Sequence, residues 1–279
     1  KKSSWSLVLA AKETVYDEEK HSSLISIEKT IRGLKYTLAY DRNSETISKC
    51  NFIMDNYSEM LFSTFLPIIF NNHHKPFFVA HLAQTLDGFI ATDSGESKYI
   101  SSKENLTHIH MIRAISDVIM VGCKTVALDN PELTTRFVKG PSPMRIIIDK
   151  DNRLSNKYNV FKNSDSNGYK IISDKIKTSE DNIFQLPLHK GRFNEQDIIL
   201  LLSKLRKKVI FIEGGGITVS DFYNRNILNR LHLCISPSIL GKGRPSFITK
   251  TKQSLDEAKC HKTKYSKMGQ DILCDIKLS

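Results

Sequence analysis

The chain has 279 residues, 40% of them hydrophobic and 25% charged, with a formal net charge of +11. This is the composition of a soluble globular protein, long enough for one large domain or for one domain plus an extension. No apolar run approaches the roughly 18 residues that a membrane-crossing helix needs, so no membrane partner is expected.

The opening, KKSSWSLVLAAKE, is basic and then apolar, but the apolar piece is too short for the core of a signal peptide. It is expected to be structure, in a cytoplasmic protein. Residues 1–75 look irregular and carry 10 Lys or Arg against 9 Asp or Glu, so an excess of +10 falls on residues 76–279. A basic segment of that kind attracts nucleic acid, or a phosphorylated small molecule and a dinucleotide. Zinc-finger spacing, RNA-binding signatures and a basic-aromatic stripe are all missing, which favours the small molecule. Pro76 biases its predecessor towards extended backbone and marks the expected boundary between an extension, 1–75, and a main domain, 76–279.

Beyond Pro76 the text alternates. FFVAHLAQT reads as a strand, Asp87-Gly88 as a turn, and FIAT as a further extended piece. Ser101 and Glu104 have the spacing of a capping box, and the helix after them should turn Leu106, Ile109 and Ile112 to the core. VIMVG, MRIIIDK and YKIIS read as buried strands, EQDIILLLSKLR as a helix and KVIFIEGGG as a strand. VSDFYNRNI reads as a short helix, and LHLCISPSIL and DILCDIKL as closing strands. Strands alternating with helices predict an α/β fold, three layers deep, with a mixed, mostly parallel central sheet. Ligands on such sheets sit at the carboxyl ends of the strands.

Five cysteines are scattered without a C-x-x-C pair, and three lie in apolar runs, so they read as buried reduced thiols. The signatures of a zinc peptidase, an α/β-hydrolase, a nucleotide triphosphatase and a zinc deaminase are all missing. His108 and His110 are two apart, on different helix faces, and no metal site is expected. Gly214-Gly215-Gly216 follows a strand but lacks the third glycine of the dinucleotide fingerprint, since Val219 stands there. The triplet fits either a plain turn or a phosphate cradle, with Thr218 or Ser220 capping a helix whose positive end faces an anion.

Seven blocks decide between these readings when taken together. They are AQTLDGFIAT (83–92), SGESKYISS (94–102), RAISDVIMVGCKTV (113–126), DNPELTTR (129–136), PMRIIID (143–149), EGGG (213–216) and ISPSILGKG (235–243). Their order and spacing resemble the pyrimidine reductase family of riboflavin biosynthesis, which has a dihydrofolate-reductase-like fold. The resemblance runs from Pro76 to the last residue. It implies an NADPH-dependent reductase that converts the ribosyl group of a ribosylamino-pyrimidinone 5′-phosphate into a ribityl chain, working as a homodimer.

By position, the resemblance puts Ala83, Tyr99, Thr125, Asp129, Gly215, Gly216, Ile217, Thr218, Val219, Ser220 and Asp221 at the cofactor. It puts Ser97, Arg113, Leu133, Arg136 and Glu213 at the substrate. The residue types suit those roles. Guanidinium forks bind phosphate bidentately, and a carboxylate accepts from sugar or pyrimidine donors. Glu213 and Asp129 are the candidate proton donors, with a bound water as the alternative. Tyr99 packs on either cofactor or core, and Asp87 reads as a shaper of its turn. Some relatives have lysine where His81 stands here, which leaves the substrate preference at that position open. Other relatives carry a zinc deaminase first. Residues 1–75 are too short for one and lack its ligands, so a stand-alone reductase with a different extension is expected. Its rivals are a reductase of another heterocycle or sugar and a non-catalytic ligand-binding homologue.

Overall fold

The computed structural model describes residues 2–17, 22–71, 75–97, 100–162 and 168–279. The chain divides into two compact units, Lys1–His74 and Lys75–Ser279.

The first unit is regular, which corrects the irregular reading of its sequence. Helix α1 (Lys2–Asp17) is followed by β1 (Leu24–Ile31), β2 (Leu34–Asp41), β3 (Thr46–Cys50) and helix α2 (Asn56–Ile69). The three strands form an antiparallel sheet in chain order. Strand β1 buries Ile25 and Ile27 and exposes Ser26 and Glu28, the period-two pattern of a half-covered sheet. Arg32 and Gly33 join β1 to β2 with φ of 51° and 79°, the two-residue turn whose twist matches an antiparallel pair. Asp55 caps α2 by accepting from the Ser58 amide at 2.8 Å. Trp5 meets Phe65 edge-on at 5.8 Å, and the buried Ser4 and Ser58 hydroxyls bond at 2.7 Å, tying α1 to α2.

The second unit runs β4 (Phe77–Gln84), β5 (Phe89–Ala91), α3 (Lys103–Ile115), β6 (Val118–Gly122), α4 (Cys123–Asp129), β7 (Met144–Ile148), α5 (Asn159–Lys162), β8 (Gly168–Ser173), β9 (Ile183–Leu186), β10 (Leu188–His189), β11 (Arg192–Phe193), α6 (Glu195–Lys204), β12 (Val209–Glu213), α7 (Gly216–Asn224), β13 (Arg230–Ile235), β14 (Arg244–Pro245), β15 (Lys262–Met268) and β16 (Asp271–Lys277). Nine strands form one sheet in the order β15-β16-β13-β4-β12-β6-β7-β8-β9. Every neighbouring pair from β13 to β9 is parallel, while β16 runs antiparallel to β13 and β15 antiparallel to β16. The mixed, mostly parallel sheet is the one the alternating text predicts.

Alternate residues of the central strands serve opposite faces. Phe78, Ala80, Val118, Met120, Ile210 and Ile212 pack with Ile198 and Leu202 of α6 and with Val219 and Phe222 of α7. Full burial of each large apolar side chain contributes about 1.5–3 kcal/mol.

The other face is polar along one row. Asp275, His232, His81 and Glu213 are successive Cα partners across β16, β13, β4 and β12, so their side chains share a face. Helix α3 meets this row with polar groups of its own. His81 Nε2 lies 2.8 Å from Asn105 Oδ1, and His108 Nε2 lies 2.9 Å from His232 Nδ1. Behind them, Arg230 donates to both oxygens of Asp275 at 2.5 and 2.7 Å. The expected apolar face of α3 is therefore shifted. Ile112 is buried, but Leu106 is exposed, and Asn105 and His108 take the inward positions. The cap shifts too: Ser102 is the capping residue, and it accepts from the Asn105 amide.

Candidate active site

Strand β12 ends at Glu213, and its carboxylate receives the side chain of Arg113 from the last turn of α3. Arg113 Nε donates to Oε2 at 2.8 Å and Nη2 to Oε1 at 2.5 Å, a bidentate pair. The remaining Nη1 donates to the Thr134 carbonyl at 2.9 Å. Only 9% of the Arg113 side chain and 22% of the Glu213 side chain are exposed. The fork of Arg113 thus faces Glu213 rather than open solvent, and the pair forms the floor of the site. A cation at the carboxyl end of a helix is also favoured by the helix dipole.

The segment beyond α4 builds one wall. Leu133 is buried with φ of 57°, a left-handed conformation that costs a leucine energy and persists only where surroundings impose it. The surroundings are two arginines. Arg145, itself fully buried, donates to the Glu132 carbonyl at 3.3 Å, and Arg113 holds the Thr134 carbonyl. The Arg136 amide donates to His110 Nδ1 at 2.9 Å, so that nitrogen is unprotonated. Burial pushes His110 down to about 4, with help from Arg113 and Arg136. The Arg136 guanidinium is exposed and reaches Glu132 at 2.7 Å and the Thr134 hydroxyl at 2.9 Å. It is the more accessible of the two predicted substrate arginines.

The three glycines play different parts. None has a left-handed φ. A Cβ on Gly216 would meet the backbone oxygens of Ser246 and Pro245 at 1.9 and 2.8 Å, so this glycine lets β14 press against α7. Gly215 has space, with Ile90 Cδ1 at 3.9 Å as its nearest neighbour. Gly214 faces the Thr125 and Thr218 hydroxyls, and the Thr218 hydroxyl also lies against Gly122 at the end of β6. Thr125 and Thr218, distant in sequence, thereby meet at one turn. Helix α7 begins at Gly216 with Gly215 as its cap residue and no side-chain cap. This corrects the expectation that Thr218 or Ser220 caps it: both lie inside the helix. Its first N–H groups, uncapped beside open glycine backbone, suit the pyrophosphate of a dinucleotide.

The other predicted residues are less uniform. Ala83 is half-buried on β4, two residues beyond His81 and on its face. Ser97 is exposed in the turn after β5, and Tyr99 lies outside the described residues. Ile217 is 76% exposed at the start of α7. Val219 is core, the Ser220 hydroxyl accepts from the Ile248 amide, and Asp221 pairs with Arg225 and Arg192. Asp129 is exposed on the last turn of α4, and its side chain makes no hydrogen bond or ion pair among the described residues. Asp87 accepts from the Leu240 and Gly241 amides and ties two loops together. Among the described residues no group of three or more His, Cys, Asp or Glu is placed to hold a metal ion, and no helix is long and apolar enough to cross a membrane.

Sequence reasoning missed Asn105, Arg145 and the Pro245–Ser246 backbone. None of them left a local signal, because the partners that give each its place are distant in the chain.

The model of the RibD C-terminal domain family matches residues 76–274. The chain is 30% identical over 207 residues to the riboflavin biosynthesis protein RibD of Aquifex aeolicus, covering 73% of this chain and 58% of that protein. It is 29% identical over 197 residues to the 2,5-diamino-6-ribosylamino-4(3H)-pyrimidinone 5′-phosphate reductase of Methanothermobacter thermautotrophicus, covering 66% of this chain and 87% of that one. Its fold is similar to that of the deaminase/5-amino-6-(5-phosphoribosylamino)uracil reductase of Thermotoga maritima, with a TM-score of 0.60, 24% identity, and coverage of 79% of this chain and 61% of that one. The fold is the dihydrofolate-reductase-like α/β sandwich that the sequence resemblance implies. The chain spans just under three fifths of the first curated relatives it matches, 58%, 59% and 58% of their lengths.

Proposed function

Because the chain belongs to the RibD C-terminal domain family, we propose that it is an NADPH-dependent reductase. It would convert the ribosyl group of a ribosylamino-pyrimidinone 5′-phosphate into a ribityl chain. One observation carries this reading. The Arg113–Glu213 pair stands immediately before the open glycine turn, so a substrate floor and an anion cradle meet at the end of one strand.

A bound nicotinamide cofactor supplies the hydride. The chain's own residues bind and orient. The backbone of Gly214 and Gly215 and the uncapped start of α7 receive a pyrophosphate, flanked by the Thr125 and Thr218 hydroxyls. The exposed Arg136 takes the substrate phosphate, exchanging Glu132 for a stronger anion. Arg113 holds both oxygens of Glu213 in place, and their remaining lone pairs accept from substrate hydroxyl or N–H groups. Glu213 has a held carboxylate and Asp129 does not, so Glu213 is the stronger candidate for moving a proton. The +10 excess on residues 76–279 draws both anionic ligands to this unit.

The test is a fluorescence titration with NADPH and with NADH, then NADPH oxidation on the diamino-pyrimidinone and on the uracil form of the substrate. Binding of NADPH with turnover of either pyrimidine is the expected result. Failure to bind either nucleotide would remove the reductase reading, and binding without turnover would point to another heterocycle or sugar. The proposed homodimer is read from the same sample by sedimentation.

A further inference from the structure

We propose that Asn105 is a positioning residue: it holds His81 as its Nε2–H tautomer, so that Nδ1 is offered as a bare acceptor to an N–H or O–H donor of the bound pyrimidine substrate. The identity of that ligand rests on the reductase reading; the state of the imidazole does not.

One buried amide fixes the ring. Asn105 is fully buried in the first turn of α3, and its Nδ2 donates to Ser101 Oγ at 2.8 Å. That turns Oδ1 towards His81, 2.8 Å from Nε2. An amide oxygen only accepts, so Nε2 carries the proton, and a neutral imidazole then has its lone pair on Nδ1. The hydrogen bond of the ring among the described residues is the one at Nε2, and Nδ1 is not among their fully buried unpaired atoms, so it stays open to a ligand. His81 is the cross-strand partner of Glu213, and both side chains lie on the face of the sheet that Arg113 closes. Two neighbouring acceptors therefore face the ligand, and they fit a donor edge: an exocyclic amine, a ring N–H or a hydroxyl.

The environment keeps the imidazole uncharged. His108 and Arg113 approach from α3, His232 from β13 and Glu213 from β12, with Asp275 of β16 beyond His232. Burial, followed by His232, lowers His81 to about 4, against smaller opposing effects of Asn105 and Glu213. A buried asparagine in place of an apolar residue is costly unless its hydrogen bonds are made, and here both ends are committed.

The experiment reads the imidazole directly. Long-range ¹H–¹⁵N correlation of His81 in the full chain at pH 7 should show a protonated Nε2 and a bare Nδ1. A protonated Nδ1 would overturn the proposal. Asn105→Asp places a carboxylate against Nε2. It should move the His81 titration, and with it the acid limb of kcat/KM, towards neutral pH; an unmoved profile would overturn the proposal. Ser101→Ala, a milder change that leaves Asn105 in place, should mix the two tautomers and lower kcat/KM about tenfold, the loss of one hydrogen bond's geometry. Unmixed tautomers with unchanged kcat/KM would overturn it equally. If no pyrimidine is turned over, the pyrimidine substrate falls, while the tautomer of His81 stands or falls on the correlation alone.

Discussion

Glu213 shows how much a single residue depends on its partner. Its carboxylate is clamped by two guanidinium nitrogens and sits one residue before the glycine turn. Glu213→Gln keeps the shape, removes the charge and leaves Arg113 without its counter-ion. We expect turnover to fall about 100-fold, within the range for removal of a group that moves a proton. NADPH affinity should change by less than about threefold if, as proposed, the cofactor is held by the backbone beyond Gly214. Steady-state rates and a fluorescence titration on the same variant separate the two, and unaltered turnover would remove Glu213 from the chemistry. Arg113 was legible as a functional residue, but its orientation was not. A guanidinium in a matched block reads as a phosphate fork, and only the fold brings Glu213, 100 positions away, against it.

The glycine turn divides into a residue that serves the fold, Gly216, and one beside open space, Gly215. Gly216→Ala drives a methyl group into the Pro245–Ser246 backbone, which cannot rotate away as a side chain can. A loss of about 1–3 kcal/mol in stability is expected, the usual cost of overpacking. Gly215→Ala meets nothing closer than 3.9 Å and should change stability by less than about 0.5 kcal/mol, while weakening NADPH by crowding the cradle. Urea denaturation and nucleotide titration of the two variants would expose the contrast, and equal stabilities would refute it. The strands around this turn were plain in the sequence because β4, β6, β7 and β12 are short apolar runs with both faces covered. Helix α3 was misread by one position because its inward residues are polar. Asn105 and His108 are buried there only because His81 and His232 await them, and partners 24 and 124 positions away leave no mark on a local periodicity. In the first unit the alternation of Ile25 and Ile27 with Ser26 and Glu28 was present, but the charged residues near the Arg32–Gly33 turn hid its length.

For the whole molecule, the buried histidines set the response to acid. In the fold, His81 and His110 sit near 4 and His108 well below its ordinary value, burial being the first cause for all three. Unfolded histidine titrates near 6.5, so between those values the unfolded chain binds more protons than the folded one. Stability is then complete above about pH 6.5 and is lost as pH falls towards 4. His81 alone accounts for about 3 kcal/mol of that loss at the acid end. Burial pushes the Asp275 carboxyl up, but His232 and Arg230 together hold it below its ordinary value, and its contribution disappears at still lower pH. Urea midpoints at pH 7 and pH 5 should differ clearly in the natural chain and by less in His81→Asn. Identical midpoints at the two pH values would contradict this account.

The wall beside the site is fastened by its carbonyls. Arg145 grips the oxygen of Glu132 and Arg113 that of Thr134, on either side of a left-handed leucine. Main-chain oxygens are the same whatever side chain is attached, so Glu132 and Arg136, both exposed, are free to be exchanged without unfastening the segment. Leu133 is the exception, since a branched β-carbon would not accept its backbone angles. A lineage could thus rewrite what this wall recognises by point mutation at its rim, while the two arginines behind it preserve the frame on which each new preference is tried.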